Sequence, residues 1–159
     1  VPQIHTDRET LSFADTPLKQ TQTANLTLQN LGATELSLTD LQITGADADR
    51  FSVRSSPPSI GPGSEETVEL AFTPTTTGDT EATLEIAHTD PTAPTQTVSL
   101  SGTGIGPTID ISKDTLNFGG DSVTLNITIS NRESSPTALQ VAKTPIVGKH
   151  PTDYSIIGG

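Results

Sequence analysis

Thr23-Ala24-Asn25-Leu26-Thr27-Leu28-Gln29-Asn30 decides the fold. Ala24, Leu26 and Leu28 fall on one side of an extended chain, and Thr23, Asn25, Thr27 and Gln29 on the other. A period of two is that of a strand with one face buried and one wetted. Working outward, the alternation starts at Thr21, and Leu31-Gly32 turns the chain after it. Leu36 and Leu38 form the next apolar pair, and Leu41 and Ile43 another; the odd step between 38 and 41 predicts a bulge. Gly45–Asp49 reads as a loop, and Phe51 with Val53 as a short strand that Pro57-Pro58 cannot prolong. After the Ile60-Gly61-Pro62-Gly63 turn, Val68, Leu70 and Phe72 alternate up to Pro74. A hairpin-type connection over Thr75–Asp79 leads to Ala82, Leu84, Ile86 and His88, and Val98 with Leu100 forms the last strand, past a loop at Asp90-Pro91 and Pro94. No segment carries a helical period. Short strands separated by Gly, Pro and Asp turns predict an all-β sandwich.

The chain then begins again. Pro2–Phe13 aligns without a gap on Pro107–Phe118, every pair 105 positions apart. Val123, Leu125, Ile127 and Ile129 repeat the alternating strand, with Ile127 in the place of Leu26. Leu139, Val141 and Ile146 follow, and Thr152–Ile156 echoes Asp49–Val53. Nothing in residues 107–159 corresponds to Ile60–Leu100. Self-similarity at a domain-sized interval predicts an array of like modules. We expect a sandwich over residues 1–104 and, over 105–159, the N-terminal part of a second, either continued in a longer polypeptide or completed by another chain. A sandwich core is two inner faces interlocked, so three absent strands leave the second module unable to stand alone. The glycine-bearing stretch Ser101–Pro107 is expected to be a short linker. Copy two is about four residues shorter between Phe118 and Asn126, and has Asn131-Arg132-Glu133 for Asn30-Leu31-Gly32; the modules have diverged.

These segments together resemble the Ig-like modules of the choice-of-anchor-D group, related to the ASH (hydin-type) domains and, further off, to major sperm protein. The resemblance runs through Leu11-Ser12-Phe13, Leu26–Gly32, Ala48–Val53, Ile60–Gly63, Val68–Pro74, Ala82–Ile86 and Val98–Gly104. It implies a seven- to eight-stranded sandwich, often in tandem, in large secreted or surface proteins of prokaryotes. It implies no catalytic residue.

Composition narrows the function. Hydrophobic residues make up 31% and aromatics 3%, so the core must be thin and aliphatic. The net charge of −11 repels phosphate and anionic lipid, which argues against nucleic-acid binding. The acidic residues are scattered, as on an ordinary solvated surface; the excess with only four lysines also fits a halophilic or marine source. There is no Cys, hence no disulfide and no thiolate metal site. No apolar run approaches the length of a membrane span. The chain opens Val1-Pro2 without Met, as a processed product or an excerpt does.

Candidate sites are sparse. Asn25-Leu26-Thr27 and Asn126-Ile127-Thr128 are N-glycosylation sequons at matching, outward positions, although such triplets arise readily in Thr-rich strands. Asp47 and Asp49, with Asp90, offer oxygen ligands of the kind Ca²⁺ takes; turn aspartates more often bond their own backbone. His5, His88 and His150 are scattered, without zinc spacing, and His88 reads as a strand-edge residue. Glu65-Glu66 and the Glu81/Glu85 pair lack any aromatic platform for a sugar and read as surface charge. We therefore expect no enzyme and no cofactor, but an extracellular structural or adhesive module of a surface filament or appendage. Its partners would be other copies, neighbouring modules of a longer chain or strand-donating subunits. A virion component of a prokaryotic virus (tail fibre, spike or capsid decoration) and an accessory binding module of a large secreted enzyme are the alternatives.

Overall fold

The structure, a computed structural model, describes residues 1–93, 95–119, 124–132, 138–142, 146–148 and 150–157. Pro94, Val123 and Glu133, which the sequence reading used, lie outside the described residues. Residues 4–105 form two packed sheets. One holds four strands in the order β1 (Ile4–Thr6), β4 (Gln22–Asn30), β8 (Glu65–Phe72) and β6 (Phe51–Ser55), all antiparallel. The other runs β2 (Thr10–Ser12), β10 (Thr95–Ile105), β9 (Gly78–His88), β5 (Leu36–Thr44) and β7 (Ser59–Ile60), with β3 (Thr16–Pro17) also on β10. β2 and β3 run parallel to β10, so the N-terminal segment crosses from the first sheet to the second. The sequence reading assigned no strand to Ile4, Leu11 or Thr16: runs of two or three residues are too short to show a period.

The decisive stretch is β4, in the centre of its sheet. Leu26 opposes Val68 and Ala24 opposes Leu70, facing inward. Leu84, Ile86, Val98 and Leu100 answer from β9 and β10, and all seven Leu, Ile and Val among these eight are almost wholly buried. Each such side chain contributes about 1.5–3 kcal/mol on burial. Phe13, Phe51 and Phe72 close one end of this core: Phe72 stacks on Phe51 with centroids 4.9 Å apart and lies 5.6 Å from Phe13. The predicted bulge appears as a register shift between Leu38 and Asp40.

Two expectations need correction. Ser101–Ile105 is no linker but the last half of β10, paired with Glu81–Gly78 of β9. The backbone keeps its ladder there because Gly102 and Gly104 lie against Phe72 and the Pro74–Thr76 turn, where any side chain would collide. Gly45–Asp49 is not all loop, since Ala48–Arg50 makes a 3₁₀ turn.

Beyond residue 105, β11 (Ile109–Ile111) pairs with β12 (Ile129–Asn131). The register Ile109↔Asn131, Ile111↔Ile129 repeats Ile4↔Asn30, Thr6↔Leu28. Leu125 and Ile127, predicted within the strand, precede it instead. A second 3₁₀ turn, Pro151–Asp153, matches Ala48–Arg50, and Phe118 lies 5.4 Å from Tyr154 as Phe13 lies 5.7 Å from Phe51.

Candidate functional site

Hydrogen bonds fix the chain at the two poles of residues 4–105, where it enters and leaves the sandwich. At the entry pole Asn30 is fully buried and uses its whole amide. Oδ1 accepts from the N–H groups of Gln3 (3.1 Å) and Gly32 (3.0 Å), and Nδ2 donates to the carbonyls of Thr34 (2.8 Å) and Ile60 (3.0 Å). Two acceptor lone pairs and two donors are the full capacity of an amide. Gly32 lets Val1–Gln3 lie directly against the turn, where a Cβ would strike their backbone.

Asp90 holds the same segment from the other sheet. Its Oδ2 accepts from Ile4 N–H at 3.1 Å, and Oδ1 accepts from the Thr92 N–H (2.9 Å) and hydroxyl (2.7 Å). The Thr92 hydroxyl and N–H, with Ile4 N–H and the neighbouring His88, hold this carboxyl below its usual range against the opposing effect of burial. Asp90 N–H in turn donates to His88 Nδ1 at 3.2 Å. His88 is buried rather than at an exposed strand edge, and burial pushes its pKa down, against the pull of Asp90. Its Nε2 has no hydrogen-bond partner.

At the exit pole, Leu18 N–H donates to the Ile105 carbonyl (3.0 Å) and Lys19 N–H to the Pro74 carbonyl (2.9 Å). Gly106 lies against Thr77 and Leu18. The poles are far apart. Entry is beside His88 and exit pairs with Gly78, the two ends of β9. Ten steps of about 3.3 Å separate them by roughly 33 Å.

The structure does not bring the three calcium candidates together. Asp47 accepts from Glu81 N–H, seven strand residues from His88 and so roughly 23 Å from the Asp90 corner. Arg50 stands beside both Asp47 (3.9 Å) and Asp49 (3.8 Å), so its positive charge opposes a second cation there. Among the described residues no three acidic, His or Cys side chains converge as a metal site. Asn25 is exposed opposite Glu69, and Asn126 is exposed just before β12. Glu65, Glu66 and Glu81 are exposed.

The sequence reading missed Asn30 and the roles of His88 and Asp90. A signal existed: Asn30 continues the inward phase of Ala24, Leu26 and Leu28, and His88 that of Leu84 and Ile86. A polar residue in an apolar phase is a buried one that needs partners.

The Cep192 domain 4 family model matches residues 1–105, two thirds of the chain. The chain belongs to that family. An ASH / PapD-like domain of human CEP192 (PapD-like domain 7) superposes with a TM-score of 0.51 at 19% identity, over 64% of this chain and 84% of that one. A protein of unknown function from Porphyromonas gingivalis W83 gives 0.55 at 18%, over 64% of this chain and 46% of that one. The VesB protease of Vibrio cholerae gives 0.52 at 20%, over 64% and 32%. This member of the Cep192 domain 4 family thus spans less than half the length of either bacterial protein. These likenesses make residues 1–105 an ASH/PapD-like, Ig-like β-sandwich. No curated protein matches the chain in sequence.

Proposed function

We infer that the chain is a non-catalytic spacer and assembly module, one unit of a tandem Ig-like array in a surface filament or appendage. The observation that carries this reading is the placement of entry and exit at opposite ends of β9, each hydrogen-bonded into the sandwich. A module threaded pole to pole transmits tension through its ladders and adds its own length to an array. One with both ends at the same pole adds none. The β10 ladder reaches Ile105 and β11 starts at Ile109, so only three residues connect one fold to the next. The choice-of-anchor-D resemblance supports a prokaryotic surface setting, and the acidic first module suits an exposed, salt-bathed surface.

The test is negative-stain microscopy and solution scattering of the intact native protein. Beaded rods with a repeat of roughly 40–45 Å, the length of β9 plus the extended connection, support the reading. A protein that turns over a substrate, or whose modules cluster without a linear repeat, sinks it. The likeness to part of the VesB protease favours one second reading, an accessory module carried by a larger secreted enzyme. A catalytic domain in the same open reading frame would select it.

A further inference from the structure

β4 and the segment that repeats it differ on the inward side and agree on the outward one. Ala24, Leu26 and Leu28 become Leu125, Ile127 and Ile129, whereas Thr23, Asn25 and Thr27 recur unchanged as Thr124, Asn126 and Thr128. The structure ties the two segments in one register, since Thr6 pairs with Leu28 as Ile111 pairs with Ile129. A wetted strand face is the least constrained part of a sheet, and substitutions there are ordinarily near neutral for stability. Thr is a good strand former and accounts for itself. Asn does not, being one of the residues that strands disfavour. Asn25 is exposed in the middle of β4, opposite Glu69, and Asn126 is exposed as well. Among the described residues neither amide takes part in a hydrogen bond. Asn30 is the contrast: its whole amide is bonded inside the fold. Neither strand formation nor packing explains an asparagine at this outward position in both copies.

Covalent chemistry does explain it. Asn-X-Thr is the triplet that accepts an N-linked sugar, and of the five asparagines only Asn25 and Asn126 begin one. We propose that Asn25 and Asn126 each carry an N-linked oligosaccharide. The donor is an oligosaccharide held on a polyisoprenyl phosphate carrier. The side-chain nitrogen of the asparagine attacks the anomeric carbon. The new C–N bond forms as the bond from that carbon to the phosphate oxygen breaks; the carrier phosphate leaves with the electron pair, and the amide gives up one proton. In the folded sandwich Leu26 is wholly buried and Asn25–Thr27 is paired with Thr67–Glu69 of β8. The transferase therefore acts on the chain before β8 closes on β4. Once attached, the sugar on Asn25 projects from the outer face of the four-stranded sheet, midway along β4 and clear of Asn30 at the entry pole.

This rests on the surface setting inferred above, because such sugars are added to exported chains. The sample is the full-length protein purified from the cells that make it. Trypsin cuts after Lys19 and Arg50, and after Lys113 and Arg132, placing each triplet in a peptide of its own. Electron-transfer fragmentation should find both peptides heavier by an oligosaccharide, on Asn25 in one and on Asn126 in the other, with Asn117 bare. Thr27→Ala and Thr128→Ala, made in the same cells, keep the asparagine and should each remove the sugar from its own triplet; Thr27→Ser should retain it. A native protein bare at either asparagine, sugar that persists in the Thr→Ala chains, or sugar on Thr hydroxyls in place of the asparagines overturns the proposal. Cell fractionation separates the two readings: bare peptides from protein on the cell surface overturn the sugars alone, whereas protein confined to the cytoplasm overturns the surface setting and the sugars with it.

Discussion

Gly102→Ala isolates the packing that holds β10 in its ladder. An ordinary Gly→Ala change at a strand position with permitted backbone angles stabilises by about 0.5–1 kcal/mol, because it removes freedom from the unfolded chain. Here the new methyl would lie 2.6 Å from Phe72 Cε1 and 2.8 Å from Cδ1 and Cζ. Carbon atoms in contact prefer about 3.5–4.0 Å, so the ring or the strand must shift by roughly 1 Å. Phe72 has little room to yield: it is wholly buried, stacked on Phe51 and flanked by Phe13. Overpacking of this kind costs about 1–3 kcal/mol. The expected net effect is a loss of about 1–2 kcal/mol, and a Tm lower by about 4–16 °C for a unit of this size. Urea melts of the single variant, of Phe72→Leu and of the double variant check it. Phe72→Leu alone destabilises, and adding Gly102→Ala to it costs less than adding it to the native chain. A Gly102→Ala protein as stable as the native one, or strictly additive effects in the cycle, would refute the close approach of β10 to the ring cluster.

Asn30→Ala leaves the buried Ile60 carbonyl and the part-buried Gln3 and Gly32 N–H groups and Thr34 carbonyl without their partner; at about 1–3 kcal/mol for a buried group left unsatisfied, we expect about 1–3 kcal/mol of destabilisation in a chemical melt. His88 is held neutral by burial. Its contribution to stability is therefore full above its unfolded pKa, about 6.5, and is lost as the pH falls through the lowered folded value; melts from pH 8 to 5 should decline in the native protein and flatten in His88→Gln. Asp90 follows the same sign at lower pH, stabilising above about 3.9 and fading below it, and Asp90→Ala should speed amide hydrogen exchange at Ile4 without affecting the exit pole. EGTA should leave the melting temperature unchanged, because Arg50 already stands beside Asp47 and Asp49; a drop would put a bound cation in the first module.

The class of fold was legible because a half-buried strand stamps a period of two on its residues, and β4, β8 and β9 are long enough to show it. The ends of β6, β8 and β9 were legible too, since Pro57, Pro74 and Asp90-Pro91 cannot continue a ladder. The likeness of Pro107–Phe118 to Pro2–Phe13 was legible in the sequence, and β11 and β12 pair in the register of β1 and β4. Strand neighbours were not legible. That β2 and β3 lie parallel on β10, or that β1 is gripped from both sheets, depends on which segments meet in space, and pairs such as Thr10 and Ser99 carry no mark of each other. The same holds for Asn30, His88 and Gly102. Each stands in the inward phase of its strand, so the sequence declared it buried. Only the tertiary structure supplied the Gln3 N–H and the Ile60 carbonyl that meet the Asn30 amide, and the Phe72 ring that leaves room for no side chain at Gly102, because such hydrogen-bond partners and steric neighbours are set by chain segments tens of residues away.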